Sequence, residues 1–92
     1  MYTLSVKLTF HIPQANSLKD KRMVARSLID RTRRKFNASV SEVESQDAHR
    51  TLVIGVAVVS GEASFARRSL DEIVRFMEAH ADAELISVEE DG

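Results

Sequence analysis

From Tyr2 to Ile12 apolar and polar residues alternate without a break. Tyr2, Leu4, Val6, Leu8, Phe10 and Ile12 fall on one side, and Thr3, Ser5, Lys7, Thr9 and His11 on the other. Period two over this length predicts a strand with one buried and one polar face, ended by Pro13, which cannot donate to a ladder. After the short connection "PQANS" the period becomes helical. Ser17 is placed as an N-cap, and Asp20 three residues on completes something close to a capping box. Leu18, Val24, Ala25, Leu28, Ile29, Thr32 and Phe36 share one side of that helix, which Asn37 is expected to close in left-handed geometry.

"ASVSEVES" is a weaker strand, because Val43 is out of phase with Ala38 and Val40. A bulge near Ser41–Glu42 would restore the phase and would suit an edge strand. A turn at "QDA" leads to "TLVIGVAVV", which is apolar on both faces and therefore belongs in the centre of a sheet. Ser60 is placed as the cap of a second helix, which buries Ala63, Ala66, Leu70, Ile73, Val74 and Met77. Its outer side spaces Arg67/Asp71, Arg68/Glu72 and Asp71/Arg75 for i,i+4 pairing. A last short strand runs through Leu85, Ile86 and Val88. The order βαββαβ, with right-handed crossovers, predicts a ferredoxin-like α+β sandwich: a four-stranded antiparallel sheet, strands one and three central, both helices on one face. The 92 residues form a single domain in this reading.

Composition narrows the chemistry. There is no Cys, so disulfides and thiolate sites are out, and no apolar run reaches the roughly 18–20 residues of a membrane span. "MYTLSVKLTF" lacks the layout of a signal peptide, so a cytoplasmic home is expected. Net charge is only −1, yet residues 1–36 carry nine basic groups against two acids, and residues 37–92 carry four against twelve. Eight of the thirteen basic residues lie in "SLKDKRMVARSLIDRTRRKF". Such asymmetry calls for an electrostatic partner, or for one half of the molecule neutralising the other.

On that helix Lys19, Arg22, Arg26 and Arg33 fall within roughly 60° of each other and span some 21 Å, long enough to follow several phosphates. Lys21, Arg34 and Lys35 are read as supporting charge. The plainer alternative is a solvated face, with Asp30 pairing to Arg26 and Arg34. The open side of the sheet offers Val53, Gly55, Ala57 and Val59 beside the polar face of strand one, without an aromatic on which a base could stack. A second copy is the simplest cover for that strip, which makes a homodimer the expected oligomer. His11, His49 and His80 lack ligand spacing, and the carboxylates of "ESQD" lack anything to raise a pKa, so neither a metal, a cofactor nor catalysis is expected. "HIPQANSLKD" contains no Gly with which to build a phosphate-cradling turn.

The run "SLKDKR" at Ser17–Arg22, with "FNASVSEV" from Phe36 and "IGVAVVS" from Ile54, resembles the YlxP-like family of small bacterial proteins. The resemblance implies a ferredoxin-like fold and carries Ser17 to Arg22 over as signature positions, with no catalytic assignment. It also implies a gene neighbourhood of translation initiation and ribosome maturation factors. Where similar proteins often carry an aromatic after Gln46–Asp47, this turn reads Ala48–His49–Arg50. The expectation is a non-catalytic cytoplasmic accessory protein that contacts RNA or the ribosome through its first helix. The alternative is a homo-oligomeric interaction or ligand-binding regulatory module using the sheet face or edges.

Overall fold

A computed structural model describes residues 1–90. Its elements are β1 (Tyr2–His11), α1 (Leu18–Lys35), β2 (Ser39–Glu44), β3 (Thr51–Ser60), α2 (Ala63–His80) and β4 (Glu84–Glu90). The strands form one antiparallel sheet in the order β2-β3-β1-β4, so the two most apolar strands are central, as their patterns require. The fold is the ferredoxin-like sandwich. Among the described residues no helix is long and apolar enough to cross a membrane.

The core lies between the sheet and the helices. β1 contributes Val6, Leu8 and Phe10, with Ile12 just beyond it, and β3 contributes Leu52, Ile54, Val56 and Val58. Ala25 and Leu28 of α1 and Ala66, Leu70, Ile73 and Met77 of α2 close the layer from above. Burial of these side chains is the main driving force for the fold. Ala63, expected inside, is exposed at the first position of α2.

Local signals hold at the start of α1 and fail in part elsewhere. The Ser17 hydroxyl accepts from the Asp20 amide at 3.1 Å, and the Asp20 carboxylate accepts from the Asn16 amide at 2.9 Å. At the other end Asn37 is not left-handed; the chain leaves through extended Phe36, whose amide donates to Thr32 O. For α2 the cap is Glu62 and not Ser60, whose hydroxyl instead accepts from the Glu62 amide at 3.1 Å. Arg67 pairs with Glu90 on β4 and not with Asp71 along its own helix.

Both edge strands are bulged. In β2 the extra residue is Val43, one position beyond the expected Ser41–Glu42, since Glu42 opposes Ile54 and Glu44 opposes Val53. β4 carries a second bulge at Ile86, between Leu85 opposite Phe10 and Ser87 opposite Thr9, which the sequence pattern did not reveal. The first has a visible effect: a Cβ on Gly55 would stand 2.9 Å from Val43 Cγ1. Val43 therefore folds over the open sheet face, and the neighbouring Val53 is buried, while Val59 stays 60% exposed. The apolar strip expected on that face is partly covered by the protein's own edge.

The largest departure is Lys21, which is 1% exposed. Its Nζ donates to Ser45 O at 2.6 Å and Ala48 O at 2.8 Å, and lies 2.7 Å from Glu42 Oε2. An ammonium has three protons, and here it meets three oxygens. The Glu42 contact is an ion pair without the alignment of a hydrogen bond. Ser45 and Ala48 belong to the β2–β3 turn, where Ser45 takes a positive φ of 58° and accepts from the Ala48 amide at 3.0 Å. Lys21 thus ties α1 to the turn.

Removing only one partner of such a pair strands the other, so Lys21→Met should cost about 3 kcal/mol in urea unfolding, and Glu42→Leu added to it should return part of that loss. A Lys21→Met protein within 1 kcal/mol of the parent would show that the tie is dispensable. Gly55→Ala should destabilise by about 1 kcal/mol through collision with Val43, yet be neutral or stabilising in a Val43→Ala background, where the collision is gone. Equal effects in both backgrounds would reject the steric explanation.

Candidate nucleic-acid interface

α1 packs over the sheet beside β2, so one flank of the helix overhangs the sheet's free edge. Its buried arc is Lys21, Ala25, Leu28 and Thr32. Arg22, Arg26 and Arg33 sit some 60–120° round from that arc, and Lys19 is about 60° round from Arg22 on the same flank. At the helix start Ser17 takes the Asp20 amide, and the Asp20 carboxylate, bonded to the Asn16 amide, places a negative charge beside the first turn that disfavours an anion there.

The seven basic residues singled out in the sequence divide into four groups. Lys19, Arg22, Arg26 and Arg34 are exposed and make no ion pair among the described residues. Asp30 pairs with neither Arg26 nor Arg34, so the self-neutralised helix face does not form. Arg33 is exposed but anchored, donating from Nη2 to Val40 O of β2. Lys35 lies on another flank, its Nζ 5.1 Å from the Phe76 ring centroid and 5.8 Å from that of Phe36. Lys21 is withdrawn from any exposed surface by its burial, which corrects its reading as supporting charge. A signal for this was present: Lys21 stands four and seven residues before Ala25 and Leu28, inside the apolar arc.

Several cations elsewhere are engaged internally. Lys7 reaches Glu44 at 2.6 Å and Glu89 at 3.6 Å across the open sheet face, and the Glu44 hydrogen bond holds its pKa above the ordinary lysine value. Arg67 is likewise raised by its hydrogen bond to Glu90. Arg50 donates from Nε to Ala15 O at 3.0 Å. The outward, uncommitted charge of α1 contrasts with these.

Beside it the helix and the edge strand flank a shallow, open groove of about 350 Å³, lined by Arg22, Arg26 and Arg33 with Ile29 and Asp30 on the helix and by Ser41 and Glu42 on the strand. The arginines are legible in the sequence but the β2 wall is not, since helical periodicity says nothing about which strand a flank will face. A larger groove of about 460 Å³ lies between the other flank of α1 and the end of α2, around Met23, Val24, Ser27, Arg31 and His80. Arg31 Nη1 donates there to His80 O at 3.3 Å. The three histidines are dispersed: His11 ends β1, His49 is in the β2–β3 turn and His80 ends α2.

Residues 3–90 match the family model described as "Protein of unknown function (DUF503)". The uncharacterized protein YlxP of Bacillus subtilis (strain 168) is 33% identical over 73 residues, which is 79% of either chain. A de novo designed protein with a ferredoxin fold, solved by NMR in solution, superposes with a TM-score of 0.59 over 99% of this chain and 84% of that one. At 16% identity it supports the fold alone. With a family match spanning nearly every residue and a relative this similar, the chain belongs to the DUF503 family of YlxP-like proteins.

Proposed function

We propose that this protein is a non-catalytic accessory factor that binds RNA, on the ribosome or its precursors, through the phosphate backbone. The observation that carries the reading is the state of the α1 cations: Lys19, Arg22 and Arg26 point outward with no carboxylate partner among the described residues. Arg33 extends the same flank. Lysine and arginine suit this task because neutralising phosphate releases counterions without any contact to bases. The acids of β4, Glu84, Glu89 and Glu90, lie along the opposite edge of the sheet, which favours one orientation on a polyanion. Pairing of two copies through the open sheet face has less support, since Val43 already covers Gly55 and the Glu44–Lys7–Glu89 row crosses the same face.

Four phosphate contacts give a log–log salt slope of about −2.8 to −3.6. Binding to a ribosomal RNA fragment, followed by fluorescence anisotropy at several salt concentrations, should show it. Changing Arg22 and Arg26 together to Glu should remove most of the affinity and flatten the slope by about 1.4–1.8. The control pair Arg68→Glu and Arg75→Glu on α2 should change little. Unaltered binding in the α1 double variant would refute the assignment of this surface.

A further inference from the structure

We infer that the groove between α1 and the free edge of β2 takes single-stranded RNA in preference to duplex. This rests on the RNA-binding reading above and gives it a substrate form. The cations do not crown a ridge; Arg22, Arg26 and Arg33 line one wall of a concavity whose other wall is the edge strand. At about 350 Å³ and open along its length, it has room for part of one unpaired strand laid against the helix. A rigid A-form duplex is gripped across its wide minor groove, over a long and nearly flat contact.

The chemistry of the walls points the same way. Half-buried Ile29 places apolar surface between the arginines, where a base or ribose freed from stacking can rest. In a duplex the base faces are already stacked and leave that floor unused. Arginine guanidinium planes stack on splayed bases, so the lack of a groove aromatic is no obstacle. Arg33 is set for this, because its bond to Val40 O fixes the guanidinium beside the strand while other N–H groups remain for phosphate. Across from it the free edge of β2, which no further strand pairs, presents backbone groups as partners for ribose hydroxyls. Asp30 also lines the groove and Glu42 is paired with Lys21, so the three arginines leave it net cationic towards either form, and the preference rests on shape and on the apolar floor.

The test measures anisotropy of one labelled RNA strand, alone and annealed to its complement, with the intact protein at low salt. The single strand should bind about tenfold more tightly than the duplex. Arg33→Lys keeps the charge but loses the planar fork, so it should erase most of that preference while leaving the weaker duplex binding nearly unchanged. An unchanged urea midpoint would verify that this variant is folded. Equal or tighter duplex binding would overturn the single-strand inference while leaving the RNA reading intact. Failure of both forms to bind would refute the RNA reading itself. Displacement of the single strand by polyglutamate at matched charge would make the groove a general acceptor of acidic chains, and would overturn the inference too.

Discussion

The arrangement of α1 against the sheet depends on one buried ammonium. Lys21 carries its charge into a site with almost no water contact, at a cost that only close oxygens can offset. Ser45 O, Ala48 O and Glu42 supply them, and all three belong to β2 or the turn that follows it. The helix is therefore held in register with the edge strand by a directional contact as well as by apolar packing, which alone would tolerate sliding. The width of the cationic groove follows from this tie, since Arg22, Arg26 and Arg33 stand on the same helix and Ser41 on the same strand.

A division of labour among like residues results. Of the basic side chains in the first helix, Lys21 is spent on the fold, Arg33 is half committed to Val40 O, and Lys35 lies over two phenylalanine rings. Arg31 turns to the carbonyl at the end of α2. What remains for a partner is narrower than the sequence charge of this segment implies, and it is confined to one flank. Composition reports how much charge there is. Only packing reports how much of it is left outward.

Strand and helix order was legible because each element's own period was clear: strict alternation in β1, apolar residues on both sides of β3, a 3.6-residue stripe in α2. The Ser17 cap was legible for the same local reason. What escaped depends on partners distant in sequence. Lys21 meets atoms 21 to 27 residues away, and a lysine in an apolar arc is ordinarily read as reaching out to solvent. Val43 was visibly out of phase, but its place above Gly55 depends on the β2–β3 register, a property of two strands together. The Ile86 bulge left no trace, because β4 is short and mostly exposed, so alternation there carries little information.

Those two interruptions have a further consequence. A four-stranded open sheet ends in two strands whose outer polar groups invite other chains to add on. Here each rim breaks its own ladder, at Val43 on one side and at Ile86 on the other, and each break adds local twist. An incoming strand from any neighbour meets only short stretches of regular spacing on either rim. The molecule can keep one border unclothed beside its cationic helix without offering a template for fibrous stacking.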